Sequence, residues 1–351
     1  MKTALHQRST TAWEMPRRAR AWRVLSLLSA LALLSLLLAC AIGSVALTPA
    51  DLLGAVRDTL HGDTGSLATT LVELRFGRAL SAFATGASLA LAGVMMQALL
   101  RNPLAEPYVL GVSGGAAVGA LLSLMLVATA WMVDAAAFAG ALMIAFLLYV
   151  LARRDLRSAP HPEGSAPLLL LTGVILASGC GALVALMLSI APENRLRGMV
   201  FWLIGDLSGS SFRWLPWIVL IGASAFAVRM ARAINMMALH AENALTLGVN
   251  VAACRRGLFV CSALLTASAV SNAGSIGFVG LIVPHACRFI LGPDHRLLLP
   301  ASALVGGSFL VLADTLARTV LAPQQLPVGV ITAMIGVPLF LLQLHQLRRR
   351  G

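Results

Sequence analysis

The chain has few charged residues and almost no lysine. Charged residues make up 11% of its 351 residues, and Lys2 is the only lysine. A soluble domain carries about 25% charged residues, so this composition indicates an integral membrane protein. A phosphate-binding P-loop requires Gly-x4-Gly-Lys-Ser/Thr, which a chain without an internal lysine cannot supply. ATP and Mg²⁺, if they power this protein, must therefore be bound by a partner.

Sequence patterns for catalysis and metal binding are also missing. None of the five cysteines belongs to a Cys-x-x-Cys pair, and their spacing fits no zinc site, so we interpret them as small buried apolar residues. His285 has no second histidine at ligand spacing and is interpreted as structural. Neither G-x-S-x-G nor H-E-x-x-H occurs. We expect no enzyme activity and no cofactor or metal site in this chain.

What the chain does contain is long apolar segments, since 59% of its residues are hydrophobic. A helix needs about 20 apolar residues to cross a bilayer, whereas an h-region of a signal peptide has about 7–15. The first run is therefore a span rather than a signal peptide. The predicted spans are ten, with a further half-helix at 195–205: 24–47, 79–100, 108–127, 135–152, 167–190, 214–228, 257–273, 276–287, 297–313 and 328–344.

The basic residues predict the orientation of these spans. If both termini are cytoplasmic, only a minority of the 26 basic residues lie outside: Arg57, Arg75, Arg78, Arg195, Arg197, Arg213 and Arg318. This asymmetry agrees with the positive-inside rule and accounts for the net charge of +12 without nucleic-acid binding. We predict an all-α membrane protein with a cytoplasmic arm (1–23), one transmembrane domain (24–347) and a cytoplasmic tail (348–351). Residues 48–78 form the longest predicted outer loop.

Residues 274–300 are the most informative segment. They read GSIGFVGLIVPHACRFILGPDHRLLLP, a short apolar stretch with several glycines that is interrupted by Pro284. Non-helical backbone at membrane depth is tolerated only where protein or a water-filled cavity satisfies its polar groups. Short membrane segments interrupted by glycine and proline therefore indicate a transport path. Asp206, beyond Trp202, either marks the outer mouth of such a path or caps a helix.

A second interrupted segment spans residues 97–115, QALLRNPLAEPYVLGVSGG. Pro103 and Pro107 disfavour helix at the residues before them, so the chain turns between two spans. Gly115 and Gly119 form a Gly-xxx-Gly pair that allows two helices to approach closely. From spacing alone, a tight loop with small-residue packing explains this segment as well as a transport role does.

Three blocks of this sequence resemble the FecCD-type permeases of ABC importers. They are Gln97…NPLAEPxxxGVSGGA, GFVGLIVPHxxR with GxDHRxxLP, and ADxxxR followed by LPVGVxTAxxGxPxF, in the family's order between residues 74 and 342. One departure is Gly77, where the family often has proline; we expect a looser turn there. The resemblance implies about ten spans, with short half-helices near the last of them, in the bacterial inner membrane. It also implies uptake of ferric siderophores, haem or vitamin B12, and an assembly of two permeases, two cytoplasmic ATPases and a periplasmic binding protein.

The resemblance also implies roles for individual residues. Arginines at the positions of Arg75, Arg78 and Arg318 dock the binding protein, although snorkelling at the interface or, for Arg318, an i,i+4 pair with Asp314 explains them too. Residues 235–249 form the segment that couples to the ATPase, or an amphipathic helix on lipid. The coupling residues are Leu239, Glu242, Leu247 and Gly248. The translocation and gating motifs contribute Gln97, Asn102, Pro103, Gly111, Gly277, Gly280, Pro284, Thr332 and Gly336.

Another class of transporter fits part of the pattern. An ion-coupled secondary transporter would work alone and would need buried titratable residues, for which Asp314 is nearly the only deep candidate. A membrane enzyme or sensor is disfavoured by the missing catalytic patterns and the missing soluble domain. Among chelates, the NPLAEP and DHR blocks look closer to vitamin B12 and haem permeases than to siderophore permeases.

Overall fold

A computed structural model describes residues 17–61, 66–126, 129–153, 156, 165–209, 213–239, 244 and 246–350. The described residues contain helices and connecting turns but no strand. We number the α-helices in chain order; a 3-10 helix, Pro107–Leu110, precedes α4. The helices are α1 Arg17–Ala41, α2 Pro49–His61, α3 Leu67–Leu100, α4 Val112–Met125, α5 Ala130–Leu151, α6 Ser165–Ile190, α7 Glu193–Ile204, α8 Trp214–Leu239, α9 Val251–Ala273, α10 Val279–Leu291, α11 His295–Thr319 and α12 Val328–Arg350.

Each predicted span contains a helix in the structure. Seven helices are long and apolar enough to cross a membrane: α1, α3, α5, α6, α8, α9 and α11. Three further apolar helices are shorter, namely α4, α10 and the part of α12 over Val328–Gln343. The half-helix predicted at 195–205 is α7. The structure thus confirms an all-helical membrane protein, whereas ten crossings stay a prediction.

The predicted outer loop at 48–78 is wrong over most of its length, because α2 and the start of α3 occupy it. Both helices have local start signals in the sequence. The Thr48 backbone N–H donates to Asp51 Oδ2 (2.9 Å), and Thr48 Oγ1 accepts from the Asp51 N–H (3.2 Å), which is a capping box with aspartate in place of glutamate. Ser66 caps α3 by accepting from the Thr69 N–H (3.1 Å). No turn occurs at Gly77, since α3 continues through it.

Helix α3 lies at the centre of the protein and packs along α9, α10 and α11. Its contacts are close because small residues face each other. A Cβ added to Gly86 would lie 2.2 Å from the Gly306 carbonyl oxygen on α11, and one added to Gly93 would lie 1.9 Å from the Gly280 carbonyl oxygen on α10. Such backbone contact is the usual means of helix association in membranes.

Candidate functional site

The two interrupted segments meet inside the protein. Glu106, in the segment before α4, accepts a hydrogen bond at Oε1 from the backbone N–H of Phe278 (3.0 Å), just before α10. Tyr108 accepts at its hydroxyl oxygen from the backbone N–H of Ile276 (3.1 Å). The non-helical backbone of one segment is thus satisfied by side chains of the other, as membrane depth requires. Neither Glu106 nor Tyr108 was predicted as a site residue.

The need for Glu106 follows from how α10 begins. The first N–H groups of a helix have no partner within the helix, and Phe278, the N-cap of α10, has no capping side chain. Phe278 also has a left-handed backbone (φ +70°), which is uncommon for a bulky residue. A carboxylate at this position both accepts the hydrogen bond and suits the positive end of the helix dipole.

The predicted motif residues nearest this junction hold α3 and α10 together. Gln97 Nε2 donates to the Leu281 carbonyl (3.4 Å). Gly280 leaves room for Pro107, whose Cδ would lie 2.9 Å from a Cβ at that position. Pro284 is buried inside α10. These residues lie where helices contact each other. A role in gating would therefore require α3 and α10 to move relative to each other.

The remaining motif residues lie around the same helices. The Asn102 side chain accepts from the Leu104 N–H (2.9 Å) and shapes the turn that includes the exposed Pro103. Gly111 has φ +79° and begins α4 against α6. The others are Thr332, which donates to the Gly329 carbonyl (3.0 Å), Gly336, which packs on Phe278, and Gly277, which has open space around its Cα.

A cavity of about 570 Å³ opens on the side predicted to face outward, which we call the outer side. It contains an ion pair between Asp134 and Arg213, and Arg197 lies 5.5 Å from the centre of the Phe201 ring. Asp206 lines this cavity, as expected of an outer mouth, and it accepts from the Ser208 N–H (2.9 Å) within a turn rather than at the start of a helix. None of the predicted translocation and gating residues lines this cavity. Its lining consists of Leu124, Ala130, Val133, Asp134, Asn194, Arg197, Gly198, Phe201, Trp202, Asp206, Ser208, Gly209, Arg213, Ser271, Asn272 and Gly274.

The three arginines predicted to dock the binding protein are buried, each 5–8% exposed. Arg78 Nη2 lies 2.8 Å from Asp314 Oδ1, and its Nη1 donates to Gln325 (2.8 Å). Arg318 Nε lies 3.1 Å from Asp314 Oδ2, which is the i,i+4 pair considered above. These three side chains are therefore buried within the chain rather than exposed on its surface. A buried carboxylate needs such partners, so they stabilise the contact between α3 and α11.

Arg75 has a different set of partners within the chain. Its Nη1 donates to the carbonyl oxygens of Cys40 (3.1 Å) and Ala41 (3.2 Å). These carbonyls belong to the end of α1, where the last groups of a helix lack partners. Arg75 thus caps α1 from α3, and binding-protein docking by all three arginines stays a prediction.

The predicted coupling segment, 235–249, is described in part. Leu239 ends α8, and Glu242 lies outside the described residues. Leu247 is 68% exposed, and Gly248 has φ +79°. An apolar side chain so exposed fits either a partner groove or lipid. Among the described residues, no group of three or more His, Cys, Asp or Glu side chains is placed to hold a metal ion.

Interrupted apolar helices that meet within an all-helical membrane protein define a polytopic transport protein. A model of the FecCD transport family matches residues 31–346. The chain belongs to the FecCD transport family, whose members are permease subunits of ABC transporters.

Relatives and a solved structure agree with this assignment. The chain is 44% identical to the cobalamin import system permease protein of Halobacterium salinarum over 277 residues, 76% of this chain and 71% of that protein. It is 38% identical to the hemin transport system permease protein of Yersinia pestis, covering 80% and 84% of the two chains. An inward-facing structure of a metal-chelate type ABC transporter has a TM-score of 0.81 at 28% identity, over 92% of this chain and 99% of that one.

Proposed function

We propose that this protein is the permease subunit of an ABC importer that carries a metal chelate from the periplasm to the cytoplasm across the bacterial inner membrane. The observation that carries the proposal is the junction of the two interrupted segments, held by Glu106 and Tyr108. A pair of short, broken helices that contact each other within the membrane can shift as a unit when access alternates. ATP and Mg²⁺ bind to a separate ATPase subunit.

The proposed assembly contains two copies of this chain, two cytoplasmic ATPase subunits and one periplasmic binding protein. In it the seven long helices and the three shorter ones all cross the membrane, with both termini cytoplasmic. The distribution of arginine supports this orientation. The coupling segment, 235–249, then lies on the cytoplasmic side, where Leu239, Glu242, Leu247 and Gly248 contact the ATPase.

Docking of the binding protein is proposed at the outer ends of α3 and α11, where Arg75, Arg78 and Arg318 lie. A guanidinium has five N–H donors, and complementary charge favours fast, oriented docking. Because the three side chains are buried, docking at this place would involve both these guanidinium groups and the exposed surface around them. Arg57 and Arg197 are exposed cations of the outer side and are the natural comparison in a binding assay.

Cobalamin is the first cargo to test and haem the second. Both are named for relatives that this chain matches over most of its length, and the sequence motifs favour the same two chelates. Small and apolar residues dominate the helices, which suits a bulky cargo that must also be released.

An ion-coupled secondary transporter is the alternative. Its best proton carrier would be Asp314, which lies between the guanidinium groups of Arg78 and Arg318. Both guanidinium groups form ion pairs with this carboxylate, which neutralise its charge and hold it at the contact between α3 and α11. This arrangement argues against a role as a proton carrier.

The deciding experiment is reconstitution of the permease in liposomes with its cognate ATPase and binding protein. We expect ATP-dependent uptake of cyanocobalamin or haemin, and co-purification of the ATPase with the permease. Charge substitution at Leu247 should abolish co-purification, whereas Arg57→Ala should leave it unchanged. Uptake by the permease alone, driven by an ion gradient, would overturn the proposal in favour of the alternative.

A further inference from the structure

Side chains from both interrupted segments contact the last turns of α8, where the coupling segment (235–249) begins. One contact comes from the link between α10 and α11, and the other from the turn after α3. The described part of α8 ends at Leu239, so both contacts lie in the first residues of the proposed ATPase-binding segment. Neither contact is required for the end of α8 to be helical.

The first contact is made by Asn235. Its Nδ2 donates to Asp294 Oδ1 (2.7 Å), and its Oδ1 accepts from the backbone N–H of His295 (2.9 Å). The same Oδ1 lies 2.7 Å from His295 Nδ1, and because an amide oxygen can only accept, Nδ1 carries the proton. Burial alone would raise the pKa of the Asp294 carboxyl, but hydrogen bonds from the Arg296 N–H and the Asn235 amide lower it. The asparagine thus binds the first residues of α11 with all its polar atoms.

The second contact is made by Arg101, the residue that follows α3. Its Nη2 donates to the Met237 carbonyl oxygen (3.0 Å). Arg101 has a left-handed backbone (φ +49°), an unusual conformation for a residue other than glycine. The turn that contains Asn102 and leads to Glu106 starts here, so the end of α8 also holds the beginning of the first interrupted segment.

Together with the junction at Glu106 and Tyr108, these contacts form a closed series of hydrogen-bonded connections through the protein. Starting at α8, it passes through Arg101 to the first segment, through Glu106 and Tyr108 to the second, along α10 to Asp294, and through Asn235 back to α8. Energetic coupling between distant sites travels through contiguous hydrogen bonds and rigid elements. A displacement of the end of α8 must therefore move both segments or break one of the two contacts.

We propose that Asn235 and Arg101 are positioning residues that transmit the movement of the coupling segment to both interrupted segments. The inference rests on the proposed function, since it presumes that an ATPase moves residues 235–249. It goes further by assigning the transmission to two hydrogen-bonded contacts at the end of α8, rather than to the apolar packing of that helix.

The test compares the same substitution at the first residue of the coupling segment and at the residue that follows the segment. Asn235→Ala removes the first contact but leaves the Asp294 cap on the Arg296 N–H. Asn250→Ala removes an exposed asparagine that caps α9 through the Ala253 N–H (2.9 Å) and that, within the part of the chain that the structure describes, has no hydrogen bond to an interrupted segment. The readouts are cyanocobalamin or haemin uptake per ATP hydrolysed in liposomes, and the stimulation of ATP hydrolysis by the binding protein.

We expect Asn235→Ala to assemble with the ATPase and hydrolyse ATP, but to lose uptake per ATP and binding-protein stimulation by about tenfold, the change expected when a hydrogen bond to a charged group is lost. In Asn250→Ala, the uptake per ATP hydrolysed should stay near the wild-type value. An unchanged ratio in Asn235→Ala would overturn the inference. An equal loss of uptake per ATP in both variants would also overturn the inference. The effect would then come from any substitution at an end of the coupling segment, and not from the hydrogen bonds of Asn235.

Arg101 provides the second variant should Asn235→Ala fail to fold. Arg101→Met removes the donor and should uncouple hydrolysis from uptake, while Arg101→Lys keeps a donor and should restore a substantial part of the ratio. A lysine variant as uncoupled as the methionine variant would count against the transmission role. Failure of the wild-type permease to co-purify with an ATPase is a different result, which rejects the proposed function itself.

Discussion

Helices α3 and α6 are both strongly apolar, yet they occupy opposite environments. The most apolar part of α3 has a mean hydropathy of 1.7 and is 89% buried, whereas that of α6 has a mean hydropathy of 2.3 and is 17% buried. The more hydrophobic helix is thus the more exposed one. Lipid is as apolar as a leucine side chain, so hydrophobicity does not draw a helix into the interior of a membrane protein; close packing and hydrogen bonding do.

The glycines of the two helices show the same difference. Gly86 and Gly93 of α3 contact backbone atoms of neighbouring helices, and a side chain there would collide with them. Gly179 and Gly181 of α6 have nothing within 4 Å of an added Cβ. Identical residues therefore act as contact sites on one helix and as open surface on the other.

The hydrogen-bond partners of polar side chains also differ between the two helices. On α6 the hydroxyls of Thr172, Ser178 and Ser189 donate to carbonyls four residues earlier in the same helix, at 2.8–2.9 Å. On α3, several polar side chains bond to other helices: Arg78 to Asp314, Gln97 to the Leu281 carbonyl and Thr85 to Asn272. A helix that faces lipid must satisfy its own polar groups, whereas a central helix can use them to bind its neighbours.

The largest effect is expected for Arg78→Ala on α3. The substitution leaves the buried Asp314 with Arg318 as its remaining cation, and breaking a buried ion pair costs about 3–5 kcal/mol. We expect a large loss of folded protein and a lower midpoint of thermal unfolding in detergent. Arg57→Ala, on the exposed face of α2, is the control and should change neither. Equal stability of the two variants would show that Asp314 does not depend on Arg78.

A smaller loss is expected for Gly93→Ala. The new methyl carbon would lie 1.9 Å from the Gly280 carbonyl oxygen, so α3 and α10 must separate. Overpacking costs about 1–3 kcal/mol, and the upper part of that range applies because backbone rather than a flexible side chain is in the way. The midpoint of thermal unfolding in detergent measures this loss of stability. An unchanged midpoint would mean that the two helices separate easily and that this contact does not hold α10.

The smallest effect is expected for Gly179→Ala on α6, the matched substitution on the exposed helix. With no atom within 4 Å, the methyl group should change the unfolding free energy of the protomer by less than about 0.5 kcal/mol. A loss as large as that of Gly93→Ala would contradict the comparison. If the unfolding midpoint is kept but the protein no longer purifies as a dimer, this face of α6 contacts a second copy.

Much of the fold could be predicted because the signals are local. The apolar segments, the interruptions by glycine and proline, and the i,i+4 pair of Asp314 and Arg318 are all patterns within one stretch of chain. Helix α2 was missed although its start signal, Thr48 with Asp51, is present, because a short polar-faced helix between spans looks like a loop by hydropathy.

The partners of Arg78, Glu106 and Asn235 could not be predicted in this way. Arg78 binds a carboxylate 236 residues away, and Glu106 binds a backbone N–H 172 residues away. No local pattern distinguishes an arginine that faces the outer surface from one that is buried against another helix. The burial of Arg75, Arg78 and Arg318 could not be predicted for this reason.

The sequence by itself determined that this is an α-helical membrane protein of the FecCD transport family with two interrupted segments, because composition and motifs along the chain suffice for that. The tertiary structure alone decided which apolar helix is central, which arginines are buried, and that Glu106, Tyr108, Arg101 and Asn235 link both interrupted segments to the end of α8. These features depend on hydrogen bonds and close contacts between residues far apart in the chain. In a membrane such contacts, rather than hydrophobicity, select one arrangement of helices.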